Sequence, residues 1–228
     1  MKLTKFILAL PVLAALFSCS DIDNYDAPNA GIAGTVIDNT TNEGIQTEAG
    51  AGFQLCMVEE GYNPVIPIYF YAKADGSFKN TQLFADKYKV FPMNGAFVTP
   101  DSVLVNVKKL TEVNFTVTPF MTIHASTPRV ISGNIIVDYK LTRPSSVTYD
   151  IIKSMTMVSV MPSVNVVVNS KNVSHTLSEK TYADIANTQF SDTIKGLTSD
   201  TYYVRVAGLT DNPQSKYNYS KVYTVTIP

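Results

Sequence analysis

The sequence predicts an all-β chain built as two tandem antiparallel β-sandwiches of about seven strands each. Three observations carry this. Tyr, Thr, Val and Ile are abundant while Trp is absent, a composition that suits pleated, half-buried strands. Long apolar stripes at helical spacing are missing beyond the first twenty residues. Short alternating runs recur between Gly, Pro, Asn and Asp, the punctuation of hairpins and sandwich loops.

The N-terminus has a different character. Lys2 and Lys5 precede an apolar run from Phe6 to Leu16, the pattern of a secretion signal over residues 1–18. The run is interrupted by Pro11 and falls short of the roughly 20 residues a membrane span needs. Leu16-Phe17-Ser18-Cys19 resembles a bacterial lipobox, although Phe17 stands where a small or β-branched residue is usual. The resemblance implies cleavage before Cys19 and acylation of that cysteine, palmitate included. One chain binds a bilayer only marginally, at about 0.8 kcal/mol per methylene, whereas two or more anchor stably. The alternative is an ordinary secretory signal with an incidental cysteine. Residues 19–30 read as a lipidated acidic tether. Ser20, Asp21 and Asp23 resemble the surface-export signal of Bacteroidetes lipoproteins, which implies an outer-membrane protein facing the cell exterior rather than the periplasm.

Beyond the tether, Gly31 to Asp38 reads as the first strand and Asn39 to Gly44 as its turn. Phe53 to Val58 is the second. Val65 to Ala72 is the third, an edge or bulged strand because Pro67 cannot donate to a ladder. Asp75-Gly76 turns into a fourth at Phe78. Lys87 to Pro92 and Val103 to Lys108 follow. Val113 to about Ile123 is the seventh, and Ser126-Thr127-Pro128 reads as a linker. Ile131 to Thr142 is the cleanest period-2 run in the chain. Val147–Ile152, Met155–Met161 and Val164–Val168 read as further strands. Thr181 to Asn187 reads as one helical turn. Gln189–Ile194, the run from Tyr202 to Val206, and Tyr217–Ile227 close the second unit.

Gly34-Thr35-Val36-Ile37-Asp38, Asp75-Gly76-Ser77-Phe78 and Lys87-Tyr88-Lys89-Val90 resemble the carboxypeptidase-regulatory-like, transthyretin-like sandwich, here over residues 31–125. Asp86-Lys87 replaces the usual glycine before the tyrosine. Leu197 to Val206, with Tyr202 opening a strand, resembles the fibronectin type III corner, here over residues 126–228. Together with the lipobox, the pair resembles a two-domain Bacteroidetes lipoprotein family of unknown function, encoded beside glycan receptor–transporter pairs. The resemblance implies Greek-key, immunoglobulin-like sandwiches, glycan as ligand and an outer-membrane receptor–transporter complex as partner. It implies no catalytic residue. The alternative from another class is a structural adhesion or pilus-type component.

Chemistry is sparse in the residues themselves. The formal charge of -1 comes without a basic block, which argues against nucleic acid. Beyond Cys19, the single remaining cysteine, Cys56, lies in an apolar run and reads as a small buried hydrophobe. His124 reads as a strand-end or linker residue and His175 as a surface one, neither at metal-ligand spacing. No nucleophile elbow is present. Glu59-Glu60 reads as a solvated turn, and nothing singles out Asp138, Asp184 or Asp192 as a glycosidase pair. No catalytic residue, metal or cofactor is therefore expected. Binding candidates are loop-like aromatic and amide residues: Tyr62 with Asn63, and Tyr217, Asn218 and Tyr219. Tyr69 and Tyr71 share a strand face and read as core or cross-strand pairs.

Overall fold

The fold comes from a computed structural model that describes residues 26–228. Cys19 and the export residues Ser20, Asp21 and Asp23 lie outside the described residues. The chain is all-β, with two packed sheet pairs in sequence.

The first pair holds β1 (Ala30–Asp38), β2 (Gln54–Glu59), β3 (Ile68–Tyr71), β4 (Ser77–Leu83), β5 (Asp86–Met93), β6 (Phe97–Val98), β7 (Val103–Val107), β8 (Leu110–Glu112) and β9 (Phe115–Pro119). One sheet runs β4-β1-β9-β6, with β8 also on β1; the other runs β3-β2-β5-β7. Alternation sends Leu55, Met57, Tyr88, Val90, Val105 and Val107 inward against Ile32, Val36, Phe78, Phe115 and Val117. Each such aliphatic side chain contributes about 1.5–3 kcal/mol on burial. As Pro67 indicates, β3 is an edge strand. One expectation fails: β8 and β9 pair with β1 in parallel, so the first sandwich is not wholly antiparallel. The chain crosses from β7 to the opposite sheet and enters alongside β1 in the same direction. The break between β8 and β9 lies at Gly34, where an added Cβ would sit 1.7 Å from the Val113 carbonyl oxygen. Asn114 bridges that break, its side-chain oxygen accepting from the Thr35 amide at 2.8 Å.

The second pair holds β10 (Thr122–Ala125), β11 (Arg129–Ile131), β12 (Asn134–Thr142), β13 (Ile151–Ser159), β14 (Lys171–Thr176), α1 (Tyr182–Asn187), β15 (Phe190–Ile194), β16 (Asp200–Thr210), β17 (Tyr217–Tyr219) and β18 (Tyr223–Ile227). Strands β10, β12, β11 and β15 face β14, β13, β16, β17 and β18. Ile135, Val137, Tyr139 and Leu141 meet Val204, Val206 and Val158 in the core. The expected corner forms: the Tyr202 hydroxyl donates to the Thr198 carbonyl and accepts from its amide, both at 3.3 Å. The expected helical turn also forms, with Thr181 capping by accepting from the Asp184 amide at 3.2 Å.

Several boundaries move: β14 has no counterpart among the expected strands, and the run Tyr217–Ile227 splits into β17 and β18. Strand β10 pairs with β12, so residues 122–125 belong to the second sandwich, and Ser126-Thr127-Pro128 follows its first strand instead of linking the two. The run from Ile131 is broken at Ser132-Gly133, both with positive φ, which folds β11 back on β12. The two runs around Ile151 and Met157 form one strand, β13. Val164–Val168 is no strand: the Asn165 side-chain oxygen accepts from the Val167 and Val168 amides, both at 2.8 Å, and winds the segment into a turn.

The sandwiches meet at a hydrogen-bonded joint. Phe120 donates its amide to the Ala96 carbonyl at 3.0 Å. Asn218, only 5% exposed, donates to that same carbonyl at 2.8 Å and accepts from the Met121 amide at 3.2 Å. Around it, Ala96, Phe120 and Val147 form a small apolar cluster.

Candidate functional site

The outer face of the β3-β2-β5-β7 sheet follows from register. Tyr71, Gln54 and Met93 form one row across it, and Tyr69, Cys56 and Phe91 the next. Val58, Lys89 and Leu104 form a third, and Lys87 pairs with Asn106 in a fourth. Tyr69 and Tyr71 are each 52% exposed, so the rings expected to be core or cross-strand pairs lie open to solvent. Their strand neighbours Ile68 and Phe70 pack on the core instead. Cys56 is buried beneath this face, and burial pushes its thiol up.

At the Tyr71 end the face runs into a cleft of about 290 Å³ between the two sandwiches. It is lined by Phe53, Gln54, Tyr71 and Asn94 from the first and by Gln214 and Lys216 from the second. The second side is held rigidly. Buried Asn212 donates its side-chain amide to the Lys216 carbonyl at 2.9 Å and accepts from the Lys216 amide at 3.0 Å. The Lys216 ammonium in turn donates to the Ala51 carbonyl. One open ring, two neutral side-chain amides at exposed positions 94 and 214, the Gln54 amide and one ammonium thus converge on a concave site. An aromatic face takes up apolar C–H surface, while amides and ammonium take up hydroxyls or an anion.

A second cleft, on the Thr40–Thr122 side of the joint, holds about 210 Å³ and includes Asp38, Glu43, Gln46, His124, Lys221 and Tyr223. Its exposed ring is the His124 imidazole, whose Nε2 lies 2.8 Å from the Thr142 hydroxyl. The Tyr223 hydroxyl donates to the Ala125 carbonyl at 2.7 Å, and the Lys221 ammonium stands 5.4 Å from the ring centroid.

The residues singled out from sequence are distributed differently. Tyr62 is 60% exposed on the β2–β3 loop with Asn63. That loop lies beyond the Glu59 end of β2, about 20 Å along the strand from the cleft. Tyr217, Asn218 and Tyr219 are not loop residues but form β17. Asn218 is consumed by the joint. Tyr219 is 7% exposed, lies under the Arg205 guanidinium at 4.3 Å, and donates to Glu48 at 3.3 Å. Burial holds the Tyr219 phenol above its usual range. Tyr217 is half-buried beside it, with ring centroids 6.2 Å apart.

Acidic and imidazole groups are likewise engaged. His175 is not a lone surface residue: its Nε2 lies 2.7 Å from buried Asp192, which also accepts from Thr156 at 2.6 Å. Asp138 pairs with Arg129 and accepts from Ser191. Asp184 caps α1. Glu59 is not a solvated turn residue either. It stands on β2 opposite Tyr88, and partial burial, then neighbouring Asp86, push its carboxyl up. Among the described residues no group of three or more His, Cys, Asp and Glu side chains is placed to hold a metal ion.

Residues 30–118 match the family described as "Protein of unknown function (DUF3823) N-terminal domain". Solved structures extend the likeness through the second sandwich. A DUF3823 family protein from Bacteroides uniformis is 21% identical with a TM-score of 0.76, covering 88% of this chain and 100% of its own. One from Parabacteroides merdae is 24% identical at a TM-score of 0.75, with the same coverage. A third, from Bacteroides uniformis, is named a "putative carbohydrate binding protein"; it is 18% identical at a TM-score of 0.73, again covering 88% and 100%. At these identities the likeness is one of fold. No curated protein matches the chain.

The missed site had a legible half. Pro67 marks an edge strand, and the alternation Ile68-Tyr69-Phe70-Tyr71 gives one side to the core, so the tyrosines must face out. Gln214 and Lys216 carried no such signal, since only the joint brings them to Tyr71.

Proposed function

We propose that this protein is a lipid-anchored outer-membrane surface protein that captures glycan without transforming it. In this reading it acts beside a nutrient receptor–transporter pair. The observation that carries it is the open tyrosine face running into the cleft of Gln54, Asn94, Gln214 and Lys216. A pyranose has an apolar C–H face and a rim of hydroxyls, which Tyr71 and the three amides complement. The solved structure named for carbohydrate binding, alike in fold, supports the ligand class. Acyl chains on Cys19, with Ser20, Asp21 and Asp23 as export signal, hold the chain outside the cell. The tandem carboxypeptidase-regulatory-like and fibronectin-like sandwiches carry the site away from the bilayer. Tethering raises the local concentration of captured glycan near a transporter without any new contact.

Binding on a glycan array tests this directly. Full chain is expected to retain at least one glycan, and Tyr71→Ala is expected to weaken it about tenfold. Unchanged binding by that variant removes the site. Palmitate labelling that persists in Cys19→Ala removes the anchor, and resistance of the chain to protease added to intact cells removes its outward orientation.

A further inference from the structure

The free end of the first sandwich is built differently from the end that meets the second. Register brings four segments to that free end. Ala30 of β1 stands opposite Leu83 of β4, and Gly31 beside Leu110 of β8. Glu59 of β2 stands opposite Tyr88 of β5, and Asp86 opposite Val107 of β7. The start of β1, the β4–β5 turn, the β7–β8 turn and the β2–β3 loop therefore share one end, while Ala96 and Phe120 make the joint at the other.

That end is apolar where a solvated one would be charged. Tyr62, Val65, Ile66, Phe84 and Leu110 are each at least half exposed. Exposed apolar groups gathered in one place mark a surface that meets a partner or a membrane. Residues 61–67 hold no charged side chain. Pro64 and Pro67 have no backbone donor, which lowers the cost of taking the loop out of water. Lys87, Lys108 and Lys109 stand at this end beside Glu59, Glu60 and Asp86, so its charges offset one another and the attraction it offers is apolar. The chain also arrives here from Cys19. Fully extended, the stretch from Cys19 to Asn29 reaches at most about 40 Å. A lipid surface held that close is the partner this end meets at the highest effective concentration, so a weak apolar contact suffices.

We infer, on the anchor reading above, that this end docks on the bilayer that holds Cys19, with the 61–67 loop, Phe84 and Leu110 entering the headgroup layer. Aromatic and aliphatic side chains suit that layer, and such a contact supplies a second membrane signal beside the acyl chains. It also turns the cleft at the Tyr71 end away from the lipid.

Spin labelling tests this on the full mature chain, extracted from cells and reconstituted in phosphatidylcholine vesicles. One label enters through Ile66→Cys and a reference label through Val167→Cys, at an exposed position of the second sandwich. The parent chain checks that buried Cys56 takes up no label. The label at 66 is expected to collide more with dissolved oxygen and less with an aqueous nickel chelate than the label at 167. Its depth is expected to be about 5–10 Å into the boundary between headgroups and acyl chains. Raised salt is expected to leave it there, because screening acts on charges and not on apolar contact. Adding Val65→Ser and Phe84→Ser is expected to return the label to water with the circular dichroism spectrum unchanged. Both labels in water on an acylated chain overturns the inference and leaves the anchor standing. A label at 66 shielded from oxygen and nickel alike overturns it in favour of a protein contact, a second copy included. Mass spectrometry that finds no acyl group on the extracted chain overturns the inference and the anchor together.

Discussion

Both sandwiches turn a four- or five-stranded sheet outward, and they treat that face oppositely. In the second, Met155 and Met157 on β13, Tyr203, Arg205 and Ala207 on β16, and Tyr217 and Tyr219 on β17 point away from the main core. These positions would be solvent-facing in a bare sheet. Instead the 160–170 segment folds over them, and Val164, Val166 and Val222 close a second small core. Arg205, 2% exposed, is sealed inside, donating from Nε to the Ser220 carbonyl at 2.8 Å and lying over Tyr219. Its Nη2 has no partner, and burial pulls its guanidinium down to about 10. In the first sandwich the corresponding positions hold Tyr69, Tyr71, Phe91, Lys89 and Leu104, and among the described residues no segment folds over them as 160–170 does in the second. A sheet face of similar composition can thus be closed by its own chain, so the open one is a face left available.

The strongest test attacks the sealed face. Arg205→Ala should cost about 2–4 kcal/mol in urea unfolding, since it leaves a void and strips Tyr219 of its cover. Arg205→Met should stay within about 1 kcal/mol of the parent or exceed it, because the side chain keeps its volume and a desolvated charge disappears. If Ala costs nothing, the face is not sealed and the contrast fails.

Next comes the joint, which places the second sandwich beside the open face. Asn218→Ala should cost about 1–3 kcal/mol, chiefly because the Met121 amide then lacks its acceptor. The Ala96 carbonyl keeps Phe120 as a donor. Small-angle scattering should show a broader spread of inter-sandwich geometries in this variant. An unchanged profile would mean that the apolar cluster of Ala96, Phe120 and Val147 holds the joint alone.

On the open face the expected stability effect is small. Tyr71→Ala should change unfolding free energy by no more than about 0.5 kcal/mol, as for an exposed side chain away from core and caps. A loss of about 2 kcal/mol or more would make the ring structural and remove the distinction between the two faces.

The sequence made one half of this contrast readable. Alternation and turn residues placed most strands, and Pro67 marked β3 as an edge. Pattern alone could not separate the two outward faces, because Tyr69-Phe70-Tyr71 and Tyr203-Val204-Arg205 both alternate. What divides them is a lid, and Val164–Val168 has the composition of a strand. In the fold the Asn165 side chain instead winds it into a turn, accepting from the Val167 and Val168 amides. Asn218 stayed hidden for the same reason. Its amide reads as a ligand group until its distant partners Ala96 and Met121 are in place. His175 and Asp192, 17 residues apart, meet only because β14 and β15 lie on facing sheets.

The smallest effect lies at the turn joining the open sheet to its hidden partner. Strand β3 leaves the tyrosine face, and Lys73 to Ser77 carries the chain across to β4. Gly76 takes φ +80° there, with the Ile45 carbonyl 2.7 Å from where a Cβ would stand. Asp75 accepts from the Ser77 hydroxyl at 2.7 Å and the Ser77 amide at 3.0 Å. These bonds, the hydroxyl's first, hold its carboxyl below the ordinary 3.8. A lowered folded value means the unfolded chain binds the proton more readily, so the stabilisation is full above pH 3.8 and fades as pH falls through the folded value. Asp75→Asn should therefore be less stable than the parent at neutral pH, with the gap closing in acid. Urea midpoints followed from neutral pH down to about pH 3 should show the two curves converging. Parallel curves would mean that Gly76 alone sets the turn and that Asp75 does not tie the open face to the sheet behind it.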